Sequence, residues 1–152
     1  MFKPHQKLSS YFDRLKSSDE NATLIKTNWD LFYLSFLVGL ALDRRSSPEN
    51  DGGWGEIGDL VHGYVKEEMI AVLVVRHLKN KKIEIQDQTN LKEKLGKIYD
   101  LNKGDLSEAG YRLFNEYAFS GFDHIQNSIA PNPSSRFMVL KRIKEFLEKK
   151  LN

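Results

Sequence analysis

The sequence contains no cysteine, and this absence excludes three kinds of chemistry together. Disulfide bridges, thiolate metal sites and a cysteine nucleophile all require that residue. The longest apolar run, Leu31 to Leu42, is well short of the roughly 20 residues that a membrane-spanning helix needs. The N-terminal segment also lacks the apolar core of an export signal. We therefore expect a soluble, cytoplasmic protein in a reducing compartment.

An excess of charge of one sign is also missing. The chain has 23 Lys and Arg residues against 21 Asp and Glu residues, a formal net charge of +2. Overall charge therefore does not indicate a nucleic-acid binder, and any such binding would need a local basic patch. The length of 152 residues, with 40% hydrophobic and 29% charged residues, is typical of one globular domain. No repeat or linker divides residues 1–152, so we predict a single domain.

Motifs that carry chemistry are absent as well. The sequence has no GxxxxGK[ST] phosphate loop, no GxGxxG after a strand and no GxSxG elbow. The four histidines fall on different predicted elements, without the HxxxH or HExxH spacing of a zinc site, at positions His5, His62, His77 and His124. We therefore predict no cofactor and no metal site.

Acidic residues provide only a weak indication of an enzyme. Glu67 and Glu68 are adjacent, so on a helix they point roughly 100° apart and do not easily share one substrate. A nuclease would need acids at strand ends to hold a divalent ion. The loose acidic pattern of this chain lies instead in a predicted connector and helix, at Glu84, Asp87 and Glu93. An enzyme of unrecognised type is the weakest of three alternatives, and we predict no catalytic residue.

What the sequence does contain is helical patterning, centred on residues 27–45. This segment is apolar on nearly every side, as in a helix that other helices surround. Thr27 and Asp30 form a capping-box pattern at its start. Ser35 and Gly39 lie on one face and indicate either close helix packing or a ligand notch. The expected fully buried side chains are Phe36, Leu37 and Leu40.

Amphipathic spacing predicts further helices on both sides of this segment. They cover residues 4–16, 59–80, from Asn90 to about Asn102, 105–129 with Asp105 as the cap, and 134–151 with Ser134 as the cap. Residues 69–75 are rich in β-branched side chains and fit a buried strand as an alternative. We predict an all-α fold of five or six helices around the buried helix at about residues 27–45.

Two features near the middle of the chain are candidates for binding a partner. Trp54 stands alone in the glycine-rich loop of residues 46–58, where it either plugs the loop onto the core or anchors a partner. Arg44 and Arg45 follow the apolar helix. Cations there either suit the helix dipole or bind a partner.

The last helix has the densest basic character. Its predicted inward side chains include Phe137, Leu140, Ile143, Leu147 and Leu151. The candidates for binding nucleic acid or an acidic partner are the basic residues of the predicted outward face, Arg136, Lys141, Arg142, Lys144 and Lys149. The alternative is that this face is merely solvated.

Two stretches carry a resemblance to a known group of proteins. GLALDRR (residues 39–45), which is followed by a glycine-containing loop, and NEYAFSGFDHI (residues 115–125) resemble small helical proteins encoded beside bacterial DNA phosphorothioation (Dnd) and related phage-defence systems. The resemblance implies a noncatalytic accessory subunit that contacts larger subunits or DNA, and it implies no active site. The alternative is a small helical DNA-binding or regulatory protein, for which the basic residues would gather on one face.

Overall fold

The computed structural model describes residues 1–16, 25, 27–48, 66–84, 86–133 and 135–151. Within these ranges the chain forms six α-helices: α1 Gln6–Lys16, α2 Asn28–Leu42, α3 Lys66–Asn80, α4 Gln88–Ile98, α5 Glu108–His124 and α6 Arg136–Leu151. A π-helical turn, Ile125–Ile129, extends α5. Two short antiparallel strands, β1 Tyr99–Asp100 and β2 Asp105–Leu106, join α4 to α5. The predicted all-α fold is confirmed.

The start of α2 has the predicted capping box. Thr27 Oγ1 accepts a hydrogen bond from the Asp30 amide at 3.3 Å, and Asp30 Oδ2 accepts one from the Thr27 amide at 2.8 Å. The helix ends at Leu42, earlier than predicted, because Asp43 adopts a left-handed conformation with φ of 51°. The Arg44 amide then bonds back to the Gly39 carbonyl. Arg44 and Arg45 therefore lie beyond the helix end.

The centre of the fold is the crossing of α2 and α5. A Cβ atom on Gly39 would overlap the Tyr117 carbonyl oxygen, and one on Gly121 would overlap the Ser35 carbonyl oxygen. The small face of α2 therefore allows close helix packing, and the ligand-notch alternative is wrong. One turn away, the Phe36 and Phe114 rings stack at a centroid distance of 3.8 Å. The buried centre is thus a helix pair and not α2 alone.

Three burial predictions differ from the structure. Phe36 and Leu40 are buried as expected, but Leu37 is only partly buried. Phe137 and Leu151 are 61% and 57% exposed instead of facing inward. In α6 the buried face contains Arg136, Val139 and Ile143, so Phe137 projects to the side by the angle of one helical residue.

Residues 69–75 are helical, and the strand alternative is therefore wrong. Residues 59–65 of the predicted third helix lie outside the described part of the chain. The third helix buries one face through Met69, Ile70, Leu73 and Leu78.

The connection between α4 and α5 also differs from the prediction. The fourth helix ends at Ile98 and not near Asn102, because Tyr99 is extended and begins the strand pair. The N-cap of α5 is Ser107, whose Oγ accepts from the Gly110 amide at 3.0 Å. Asp105, the predicted cap, instead accepts hydrogen bonds from Lys66 Nζ at 2.7 Å and from the Tyr111 hydroxyl at 2.9 Å. It therefore ties the start of α3 to α5.

Two remaining predictions concern the last helix and membranes. Ser134, the predicted cap of α6, lies outside the described residues, and the neighbouring Ser135 Oγ accepts from the Met138 amide at 3.1 Å.

Among the described helices, none has the length and apolar character required to span a membrane.

Candidate functional site

The exposed side of α6 combines an aromatic ring with lysines. Phe137, Lys141 and Lys144 follow one another at helical spacing, and all three are exposed. We call this stripe the α6 face. Beside it lies a cavity of about 330 Å³ whose lining is mainly aliphatic, formed by Leu34, Leu140, Ile143, Lys144, Leu147, Glu148 and Leu151. The α6 face therefore adjoins an apolar groove.

The remaining basic residues of α6 do not extend this stripe. Arg142 and Lys149 are exposed on another side of the helix, because each residue turns by roughly 100° from the one before it. Lys144 also pairs with Glu148 at 3.8 Å, and both side chains are mostly exposed, at 72% and 58%. Such a pair contributes little to stability. The predicted basic face is thus divided into two weaker groups.

Arg136 does not belong to the exposed surface at all. The residue is 9% exposed, Nη1 donates to the Ile25 carbonyl oxygen at 3.0 Å, and the guanidinium lies 4.6 Å from the centroid of the Phe12 ring. Arg136 lies on the same side of α6 as the buried residues Val139 and Ile143, so its side chain points inward. The predicted outward position of Arg136 is therefore wrong.

A second basic region, which the sequence did not reveal, surrounds His77. Two cavities of about 650 and 520 Å³ share His77, Lys97 and Ile98 in their lining. We call the two cavities together the His77 groove. The cations that line it come from four segments, and they are Arg45, Lys81, Lys94, Lys97 and Arg112. The acids in its lining are Glu108 and Glu116.

A hydrogen-bond chain holds the groove at its base. His77 Nδ1 lies 2.8 Å from the Tyr117 hydroxyl, which donates to Asp43 Oδ1 at 3.5 Å. With the Tyr117 proton directed to Asp43, His77 Nδ1 carries a proton and donates to Tyr117. Asn80 Nδ2 also donates to the Leu40 carbonyl oxygen at 3.2 Å, which ties the end of α3 to α2. These bonds fix the His77 ring at the junction of three helices.

Burial lowers the pKa of His77, and the nearby charges of Arg45 and Lys81 lower it further, against an opposing effect of Asp43. Burial likewise raises the pKa of Tyr117. The lowered pKa favours the neutral imidazole. The cations around the ring make the electrostatic potential there positive.

The candidates near the middle of the chain separate in the structure. Arg45 lines the groove and lies 3.8 Å from Glu116, with 41% of its side chain exposed. Arg44 is close enough to His124 to reinforce the lowering of the His124 pKa by burial. Arg44 and Arg45 therefore lie near different parts of the protein, Arg44 near His124 and Arg45 in the His77 groove. Trp54 lies outside the described residues.

Neither a metal centre nor a relative identifies the site. In the described ranges, no group of three or more His, Cys, Asp or Glu side chains is placed to hold a metal ion. No protein-family model, curated protein or solved structure matches this chain. We therefore infer function from the geometry of the α6 face and the His77 groove.

Proposed function

We propose that this protein is a noncatalytic interaction subunit that docks on a larger partner through the α6 face and the apolar groove beside it. The observation that carries the proposal is Phe137, a large aromatic side chain that is 61% exposed and lies one helical turn before Leu140 of the apolar groove. Exposed aromatic residues beside apolar depressions are typical of interface anchors. Lys141 and Lys144 follow Phe137 by about one and two helical turns, and they suit an acidic surface on the partner.

The resemblance to proteins encoded beside Dnd systems suggests the class of partner. It implies a partner among the larger subunits of a prokaryotic DNA modification or phage-defence complex. Residues 39–45 and 115–125, which carry the resemblance, include Gly39 and Gly121 of the α2–α5 crossing. The resemblance therefore bears on the core of the fold, and the α6 face supplies the separate argument for docking.

The test is affinity purification of the tagged protein from its native host, with identification of the associated proteins. The docking variant carries Phe137→Ala with Lys141→Glu and Lys144→Glu. The matched control reverses two charges elsewhere on the same helix, with Arg142→Glu and Lys149→Glu. We expect the same partner to be recovered with the wild type and the control and lost from the docking variant. Recovery with all three proteins would contradict the proposal.

Direct DNA binding is the second candidate function, because the exposed lysines of α6 and Arg142 can contact phosphates. It predicts that duplex DNA binds the wild type at about 0.1 M salt and dissociates steeply as salt rises. Both pairs of charge reversals would then weaken binding to a similar degree. Loss of DNA binding in both variants, without recovery of any protein partner, would favour this candidate over docking.

A further inference from the structure

We propose that the His77 groove binds a small phosphate-bearing ligand, with the phosphate among Arg112, Lys97 and Lys94 and an apolar or aromatic body against Ile98. The proposal is independent of docking through α6, because the groove and the α6 face share no residue in their linings. It rests on three observations, namely the excess of cations, the size and lining of the groove, and the fixed histidine.

The first observation is that five cations line the two cavities, against only two acids in the same lining. Arg45 has Glu116 at 3.8 Å, and Lys97 has Glu93 at 3.5 Å. Within the described ranges, Arg112, Lys94 and Lys81 make no ion pair. Cations brought together in this way repel one another, and a bound anion relieves that repulsion. Guanidinium and ammonium groups together are the usual partners of phosphate oxygens.

The second observation is the form of the groove. Its cavities of about 650 and 520 Å³ lie in the roughly 300–1,000 Å³ range of small-ligand sites. The lining also contains aliphatic side chains, which include Leu78, Ile83, Ile98 and Leu113. A concave site with cations and aliphatic side chains suits a compact ligand with an apolar part. Duplex DNA instead spreads its phosphates along an extended surface.

The third observation is the His77 ring, which lines both cavities and is held through Nδ1 by Tyr117. No hydrogen-bond partner for Nε2 lies among the residues that the structure describes. A phosphate beside this atom favours protonation of the ring, so the anion and a proton bind together. The charged and titratable groups around His77 are Asp43 and Arg45 after α2, Lys81 after α3, Lys94 and Lys97 of α4, and Glu108, Arg112, Glu116 and Tyr117 of α5.

The test uses the full chain, with ADP, adenosine and inorganic pyrophosphate as probes in calorimetric titrations. The groove variant is Lys94→Gln with Arg112→Gln, and the control is Lys141→Gln with Lys144→Gln, which removes the same charge from the α6 face. We expect ADP to bind the wild type and the control equally, and to bind the groove variant about 100-fold more weakly, about tenfold for each cation removed. Adenosine should bind at least about tenfold more weakly than ADP because it has no phosphate. Pyrophosphate should bind more weakly than ADP because it lacks the body that contacts Ile98.

Several results would overturn the proposal. They are no binding of ADP to the wild type, pyrophosphate binding at least as tightly as ADP, an equal loss of ADP binding in both variants, or duplex DNA responding to the groove variant where ADP does not. Arg112→Gln alone is the second variant if the double variant does not fold, since Arg112 is exposed. An NMR titration of the His77 ring gives an independent measure. Its pKa should rise when ADP is added, and an unchanged pKa would also contradict the proposal.

Discussion

The His77 groove and the α6 face are both basic, but they are basic in different ways. In the groove, cations from four segments line two adjoining cavities, so their fields add in one small volume. On α6, the cations follow one another along a single helix and therefore point in several directions. The number of positive residues in a segment thus says little about anion binding. What matters for anion binding is whether those side chains line the same cavity in the folded chain.

The two regions also differ in how firmly they are held. The groove rests on the α2–α5 crossing and on the bonds among His77, Tyr117 and Asp43. The lysines of the α6 face are exposed, and Lys144 has only a surface pair at 3.8 Å. A fixed site suits a small ligand of defined shape, whereas exposed cations along one helix suit a large surface of opposite charge.

The largest expected effect comes from disturbing the crossing that supports the groove. Gly121→Ala would place a methyl group on the Ser35 carbonyl oxygen and near the Gly39 amide. Both are backbone atoms, so relief requires a shift of a helix, and we expect a loss of about 3 kcal/mol or more in the free energy of unfolding. Urea unfolding measures it. A loss below about 1 kcal/mol would show that the helices separate easily.

Gly96→Ala is the matched control for this change. Gly96 lies within α4, and in the described structure no heavy atom beyond its chain neighbours and the nearby backbone of its own helix lies within 4 Å of an added Cβ. Since alanine is the better helix former, this substitution should stabilise the protein by up to about 1 kcal/mol. Opposite signs for the two glycines would separate close packing from helix propensity.

The next effect compares two cations of the same helix. Arg136→Gln removes a guanidinium that bonds the Ile25 carbonyl oxygen and lies against Phe12, so we expect a loss of about 2–3 kcal/mol in stability. Lys141→Gln, at an exposed position, should change stability by less than about 0.5 kcal/mol. Thermal unfolding of both variants provides the measurement. Similar values for the two would mean that Arg136 contributes no more than a surface residue.

Arg136 also shows a structural feature that the sequence pattern does not predict, namely which face of α6 is buried. The helices, the capping box of Thr27 and the close approach at Gly39 follow from spacing along the chain, because local geometry sets them. Which face of α6 is buried depends on its neighbours, and the sequence pattern placed Phe137 inward and Arg136 outward. A long side chain with an apolar stem can lie on either side of such a boundary.

The groove shows the same limit more strongly. Lys94 and Lys97 lie on one helix, and Arg112 and Glu116 are one turn apart on another. These two spacings are the only local signals of the groove in the sequence. That Arg45, Lys81 and His77 join them depends on how α2, α3, α4 and α5 pack, and periodicity within one segment carries no information about such convergence. A site built from four segments is therefore accessible only from the folded chain.

The smallest expected effect is a pH dependence of the free energy of unfolding, to which His77 of the groove contributes. Burial lowers the pKa of His5, His77 and His124 in the folded chain. The unfolded chain binds its protons near pH 6.5, so below about that pH it holds more protons than the folded chain, and stability falls until the folded histidines titrate as well. Thermal unfolding between about pH 7.5 and pH 5 measures this fall, and His77→Gln should reduce it.

Bound phosphate should act on His77 alone among these histidines. A phosphate beside its ring raises the pKa of His77 toward or above the ordinary value, which removes its share of the acid destabilisation. In saturating ADP the fall in stability should therefore be reduced more for the wild type than for His77→Gln, in which only the titration of the ligand's own phosphate changes the slope. His5→Gln is the control, since His5 lies away from the groove against Phe119, and this variant should keep the response to ADP. If ADP altered the slope equally in the wild type and in His77→Gln, the phosphate would not lie beside His77, and the groove would be a basic depression without the proton-linked site that its geometry indicates.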